Sequence, residues 1–473
     1  MDMLSLPQEI LGNILSFLSP DSIIRFGRTC KHAHEFISAH NQLLWKSAFL
    51  HIFDDPNDAW SLMPPPARPQ KGSGWDWHGE LRKKLRALRA IRSKWRVADT
   101  HDDGEEHLGA VLSILDTAKF APTAREIANG KVPLEDDRYL SLNLQVFADL
   151  DRHRDGLENL IHDSGLPGRM MYSGADGNPW NSPTRPVTRS MSYDDQQKSR
   201  PESASRLHVL YGLTVRERIT HKARGAARRM AYDWSRVGPD NEYGPWKRDG
   251  TGQVDWPLLE GVCSVIARNF EMCVEGHITM PQGLSFSIPH RSLVDPTKPT
   301  DWARVTGTWL GTYSFLDYAD LFAFNTWAGQ LGARPTLDDT PEACGELMKL
   351  DLQLNDDIST DPRLQTSLPT CPDLPKLFFS GISRSHVGIQ RPAIAVRGFA
   401  CLAPSGREVR WRFIIAYGGQ DQWQLEGIQP GGIRSGGVYG LWSQCDHEVN
   451  GPVGPFCYFP AELCKSTSVI LLA

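Results

Sequence analysis

Residues 394–429 read IAVRGFACLAPSGREVRWRFIIAYGGQDQWQLEGIQ. Three runs, IAVRGFACL, EVRWRFIIAY and DQWQLEGIQ, alternate or are rich in β-branched residues, and the turn signals APSGR and GGQ separate them. That pattern predicts an antiparallel meander. Upstream, GTWLGTYSFLDYADLFAFN (307–325) reads as two more strands about a tight LDYAD turn, and the terminal SVILLA (468–473) as a closing strand. Several short antiparallel strands in the last third of the chain point to a β-barrel or a β-sandwich. Closure would also remove the exposed edges that such runs otherwise leave.

Towards the N-terminus the texture becomes helical. A helical passage from 206 to about 230 and the helix of VDWPLLEGVCSVIARNF (254–270) precede the strands. Residues 166–205 are rich in Ser, Pro, Gly and charge and poor in aliphatics, which predicts a disordered linker. In residues 75–165, Leu81, Leu85, Leu88, Ile91 and Trp95 recur at helical spacing, and Arg82, Lys83, Lys84, Arg86, Arg89, Arg92, Lys94 and Arg96 fill the other face. The pattern predicts an amphipathic packing helix with a solvated basic face, the alternative being a nuclear-localisation or acidic-partner patch. RYLSLNLQVFADLDRHRDGLENLIHD (138–163) adds further helix. With 473 residues, two or three domains are expected. The fold class is α+β: a helical unit at 1–50, a helical brace at 75–165, the linker, and a β-rich domain at 206–473 with a few helices at its start.

The first 50 residues pose the question of what buries their apolar surface. In SLPQEILGNILSFLSPDSIIRF (5–26), Ser5 and Gln8 match a capping box, and Ile10, Leu11, Ile14, Leu15 and Leu18 form one broad stripe. A second helix, restarted at Ser19-Pro20-Asp21, carries Ile23, Ile24 and Phe26. The run has no basic n-region or small-residue cleavage site, and its polar residues interrupt it too often for a membrane span. Three short helices bury too little of their own surface, so the surplus apolar area predicts docking, onto a partner or onto the rest of the chain. The net charge of −5 excludes a generic nucleic-acid binder. Nine scattered cysteines without a CxxC pair predict reduced thiols in the cytoplasm or nucleus.

Residues 4–45, LSLPQEILGNILSFLSPDSIIRFGRTCKHAHEFISAHNQLLW, resemble an F-box, the module by which substrate receptors bind the Skp1 adaptor of cullin-RING ubiquitin ligases. The likeness is carried by Leu6-Pro7, Glu9-Ile10-Leu11, Ile14-Leu15, Leu18, Pro20, Ile23-Ile24, Cys30-Lys31 and Leu44-Trp45. One departure is Ala33, where many F-boxes have an aromatic. The resemblance implies that Leu6, Pro7, Ile10, Ile14, Leu18, Pro20 and Ile24 face Skp1, and through it Cullin-1. Blocks at 231–260, 307–325 and 423–456 are similar to those downstream of the F-box in a large group of filamentous-fungal F-box proteins. Gly307, Trp309, Gly311, Tyr313 and Ser314 are faintly similar to the strand that opens the β-barrel of the animal F-box receptor for cyclin D.

Catalytic chemistry is not legible in the chain. The G-x-x-x-x-G-K-[ST], G-x-S-x-G and H-E-x-x-H signatures are missing, so a non-catalytic adaptor without cofactor or metal is expected. HDDGEEH (101–107) reads as a solvated loop, and Cys445, His447, Cys457 and Cys464 match no structural zinc spacing. Tryptophans and tyrosines crowd into the β region, most of them as core, some lining a mouth. The candidates for contact with a protein substrate are Trp309, Tyr313, Arg410, Arg412 and Trp442, with Arg397 and Arg434 as further cations. The expected function is a substrate receptor of a Skp1-cullin-F-box ligase, membrane-free and without nucleic acid. The alternatives are a Skp1-bound scaffold without ligase activity and a β-barrel that senses a small ligand.

Overall fold

The computed structural model describes residues 6–62, 64–68, 74–94, 104–118, 141–163, 202–274, 278–287, 301–326, 336–385, 394–433 and 435–466. Most of the expected linker, the SVILLA strand, Trp95, Arg96, Trp327 and Arg434 lie outside the described residues.

The meander of 394–429 is the wall of a closed barrel. Its strands are β1 (Gly307–Phe315), β2 (Met348–Leu354), β3 (Leu377–Ser385), β4 (Ile394–Leu402), β5 (Val409–Tyr417), β6 (Gln420–Gln429), β7 (Val438–Gln444) and β8 (Val453–Pro460). Each pairs antiparallel with its neighbour in sequence, and β8 returns to β1 with Phe456 opposite Tyr313 and Pro460 opposite Trp309. The β5–β6 hairpin turns on Gly418 and Gly419, both at positive φ (59° and 85°), the conformation that a tight hairpin requires.

Alternation sorts the wall into two faces. Trp309, Phe379, Trp411, Phe413, Phe456 and Tyr458 point inward and are buried. Their rings touch: Trp309 and Trp411 lie 5.0 Å apart, Phe379 and Phe413 5.4 Å, and Phe413 and Tyr458 5.6 Å. Glycine makes room for them, since a Cβ at Gly398 would collide with the Phe379 ring and one at Gly311 with Tyr458. Buried Trp302, whose Nε1 donates to the Pro375 carbonyl at 2.8 Å, joins this core at the end where β1 begins.

One expected strand is a helix. After β1 the chain does not turn back at LDYAD but runs into the helix Tyr318–Thr326. Asp317 Oδ1 accepts from the Ala319 N–H at 2.9 Å, and Leu321 and Phe324, three apart, drop into the core. Helical spacing of the two buried residues prevails over strand propensity, and the next barrel strand begins only at Met348.

The N-terminal half is built from α1 (Gln8–Ser16), α2 (Pro20–Gly27), α3 (Lys31–Phe36), α4 (Gln42–Leu50), α5 (Trp77–Arg92), α6 (Glu105–Asp116), α7 (Leu142–Arg152), α8 (Arg154–Asp163) and α9 (Glu202–Tyr211). Leu15, Trp45 and Phe49 share one core with Leu88, Leu108, Phe147, Leu157 and Leu207, so the first helices rest on the brace. Three local expectations change. Helix α9 begins inside the stretch read as linker, because Ala204, Leu207 and Leu210 fall on one buried stripe. Lys84, expected on the solvated face of α5, is fully buried. Its ammonium sits about 6 Å from the Phe49 and Phe53 rings (6.0 and 5.9 Å), and burial pushes its pKa down to about 8. Glu105, Glu106 and His107 form the first turn of α6 rather than a loop, with His107 buried.

Two features join the halves. Helix α10 (Trp256–Cys273) packs on α9 and against β1, β7 and β8, with the Phe270 ring 4.9 Å from Phe459. Asp116 at the end of α6 receives Arg206 from α9 and Arg407 from the β4–β5 turn, each at 2.7 Å.

Beneath α10 lies a buried polar cluster with a pH signature. His208 Nδ1 and Nε2 meet Glu260 at 2.7 Å and Glu217 at 3.0 Å. Burial alone would depress His208, but the two carboxylates outweigh it and raise it to about 10. The neighbouring His162 ring, 5.6 Å away, is pushed down to about 3 by burial and by the His208 charge. The signs oppose each other. His208 stabilises fully below its unfolded value near 6.5 and less as pH rises towards 10; His162 costs nothing above 6.5 and costs more as pH falls. Replacing His162 by Leu is therefore expected to flatten the loss of stability between pH 7 and pH 5 by about 2 kcal/mol. Urea unfolding of both proteins at the two pH values checks this; parallel pH profiles contradict it.

Candidate docking surfaces

Pro7 is the N-cap of α1 and supplies no side-chain cap, while Ser5, one half of the expected capping box, lies outside the described residues. Ser19 caps α2 by accepting from the Ser22 N–H, and Cys30 Sγ and Asn41 cap α3 and α4 in the same way. These closely spaced caps fold the short helices into a turn-rich unit in which Leu11, Leu15, Ile23, Ala33 and Trp45 are buried.

The broad stripe on α1 divides into two faces. Leu11 and Leu15 point into the chain's own core at 1% and 0% exposure, while Ile10 and Ile14, one residue before each, stand at 49% and 40%. Phe17 at 79%, Leu18 at 37% and Ile24 at 39% extend this outer surface, and Leu43 is 81% exposed. Helical geometry puts Ile10, Ile14 and Phe17/Leu18 on successive turns of one face. Of the residues singled out by resemblance, Pro7, Ile10, Ile14, Leu18 and Ile24 are exposed and Leu6 is half-buried. Pro20 is the correction: it is buried in the first turn of α2, where its ring sets the chain direction rather than meeting solvent. Phe17 and Leu43 were missed. Each adjoins residues that read as core, and only helix phase tells them apart.

The barrel candidates are placed differently. Trp309 and Trp442 are buried, the first in the interior stack, the second with Nε1 donating to the Ser314 carbonyl at 3.0 Å. Arg410 and Arg412 are also buried, on the outer wall, where they are taken up by carboxylates. Glu426 on β6 accepts from Arg410 Nε at 3.1 Å and from Arg412 Nε. Glu242, brought from far upstream, accepts from Arg410 Nη2 at 2.5 Å, from Arg412 Nη2, from Thr366 Oγ1 at 2.9 Å and from the Ser367 N–H at 2.6 Å. The Phe399 ring lies beneath both guanidiniums, at 5.4 and 5.2 Å, and Trp246 covers Arg410 at 5.3 Å. Burial would raise Glu242, but Arg410 and Arg412 outweigh it and hold the carboxyl at about 2. Glu242 and Tyr243 both adopt positive φ (49° and 61°), a cost that this cradle of donors offsets. Arg397 is likewise paired, with Asp361 at 2.5 Å and Asp421 at 2.6 Å. Trp309 and Trp442 thus belong to the barrel core and Arg410 and Arg412 fasten loops to its wall, so these four buried side chains offer no free surface to a substrate.

Tyr313 is the exception. It is 39% exposed at the mouth where β1 ends, with Phe315 stacked 6.3 Å away and the edge of Trp442 at 6.2 Å beneath it. Among the described residues no group of three or more His, Cys, Asp or Glu side chains converges on a metal-sized site, and no helix is long and apolar enough to cross a membrane.

No curated protein and no solved structure matches the chain. A family model described as F-box-like matches residues 3–51, the segment whose outer apolar face is described above. The chain therefore carries an N-terminal F-box-like domain, set on a helical brace and followed by a closed antiparallel β-barrel.

Proposed function

We propose that this protein is a substrate-recognition subunit of a Skp1-cullin-F-box ubiquitin ligase, working in the cytoplasm or nucleus. The observation that carries the reading is the division of α1 and α2. Leu11, Leu15 and Ile23 already complete the chain's own core, which leaves Ile10, Ile14, Phe17, Leu18 and Ile24 for another protein. A connected set of large apolar residues held in water on a match to the F-box pattern fits Skp1, and through it Cullin-1. The chain acts without chemistry of its own: it holds a target near the charged ubiquitin-conjugating enzyme and raises its effective concentration there. The interior filled by Trp309, Trp411, Phe413 and Phe456 supports a role for the barrel's rim rather than for a ligand within it.

Affinity purification under proteasome inhibition tests the reading. The wild-type chain is expected to bring down Skp1, Cullin-1 and ubiquitylated targets. Ile14→Asp with Leu18→Asp is expected to lose Skp1 and Cullin-1 while keeping the targets in unmodified form. Skp1 without Cullin-1, and no target stabilised by the inhibitor, would make the protein a scaffold instead.

A further inference from the structure

The mouth of the barrel at the end of β1 carries an aromatic surface that the fold leaves uncovered among the described residues. Tyr313, Phe315 and Tyr417 are 39%, 39% and 45% exposed, and three residues beyond Phe315 the helix Tyr318–Thr326 adds Tyr318 at 53% and Phe322 at 38%. These rings are fixed in place. Tyr313 rests on Trp442, Tyr318 lies 6.2 Å from Phe322 and donates its hydroxyl to the Asn450 carbonyl at 3.1 Å, and Phe322 leans on Trp234 at 6.2 Å. Single exposed aromatics are ordinary, but a run of them held rigidly around one rim has the make-up of an interaction site. Ordering such side chains on binding costs little, because their rotamers are already set.

Acidic residues gather on the side of this rim nearest Tyr318, while exposed Arg384 stands on its β2–β3 side. Asp317 and Asp320 flank Tyr318, and Glu448 precedes exposed Val449 in the β7–β8 turn that Tyr318 touches. All three acids are exposed, and among the described residues none has a cationic partner within 4.0 Å. The nearby Lys349 is engaged by Asp351 at 3.5 Å on the outer wall of β2, with Arg384 opposite it on β3. The eight barrel strands close on themselves, and the two-residue strand Ala343–Cys344 that pairs with Ser314 and Phe315 offers only a short edge, so a partner binds here chiefly through side chains.

We infer that the rim of Tyr313, Phe315, Tyr318 and Phe322 receives a linear segment of the target protein that carries two or more large apolar side chains flanked by Lys or Arg. This deepens the receptor reading and rests on it for the segment's fate, while its own test is independent of Skp1. The full chain co-expressed with Skp1 is panned against a random linear-peptide phage library, and a selected peptide is measured by fluorescence anisotropy. The expected selection is enriched in aromatic or aliphatic pairs with neighbouring Lys or Arg. Tyr313→Ala with Phe315→Ser is expected to weaken binding at least about tenfold. Asp320→Lys with Glu448→Lys, both at exposed positions, is expected to weaken it severalfold, and exchanging the peptide's Lys or Arg for Glu should restore binding to that variant. No selection, acidic peptides, or indifference to both variants would overturn the inference. So would a wild-type dimer that Tyr313→Ala with Phe315→Ser converts to monomer, since the rim would then face a second copy. A thermal melt followed by tryptophan emission, unchanged in the variants, reports on the folding of their barrel; peptide binding without Skp1 binding would sink the ligase reading alone.

Discussion

Replacing Glu242 by Ala is expected to destabilise the barrel half by about 3–5 kcal/mol, as loss of one member of a buried ion-pair set does. Arg410, Arg412, Glu242 and Glu426 form a neutral quartet at 2%, 4%, 12% and 1% side-chain or residue exposure. Without Glu242, two buried guanidiniums share one carboxylate, and Thr366, Ser367 and Leu368 lose the acceptor that holds their loop to β5. Glu242→Gln, which keeps the shape and removes the charge, is expected to fall between the two. The linkage has a definite sign. Because its folded pKa is about 2, Glu242 stabilises fully above the ordinary carboxyl value of 4.5, and this is lost as pH falls through the folded value. Urea unfolding followed by the emission of the buried tryptophans Trp309 and Trp411 checks the effect, and a loss under about 1 kcal/mol would show that the quartet does not hold the loops.

Leu15→Ala and Ile14→Ala, one residue apart, are expected to differ sharply in their effect on folding. Leu15 is fully buried among Leu11, Ile23, Trp45 and Phe49, so truncation leaves a cavity worth about 2–5 kcal/mol. Ile14 is 40% exposed, so truncating it in the free chain is expected to cost under about 1 kcal/mol. Thermal melts of the two variants check the contrast. Equal losses would mean that Ile14 is part of the private core and that the outer face is no interface.

What the sequence made legible is what local pattern determines. The meander at 394–429 could be read because each strand alternates and each turn carries its own glycine or proline. The F-box segment could be read because its prolines, caps and helical spacing lie close together. Less local features escaped. The helix Tyr318–Thr326 looks like a strand until Leu321 and Phe324 are seen to share a core, and KLDLQL (349–354) is not marked as a strand until β1 and β3 flank it. Lys84 looks like one more cation on a basic face, yet it occupies the seam between α4 and α5. Arg410 and Arg412 have the residue types of an anion site, but the sequence does not show that a carboxylate 168 residues upstream, at Glu242, already fills it. Trp309 and Trp442 show the same limit, since an aromatic on a strand can point into a barrel or out of its mouth and only closure decides.

The account turns on whether the outer face of α1 and α2 is a surface for Skp1. Titrating purified Skp1 into the full chain and into Ile14→Asp with Leu18→Asp, with a thermal melt of each preparation, tests this directly. The account predicts that the wild type binds and that the variant melts where the wild type does but shows at least a hundredfold weaker affinity, about 2.7 kcal/mol or more. Undiminished binding by a folded variant, or a variant that loses affinity only because it no longer folds, would contradict it.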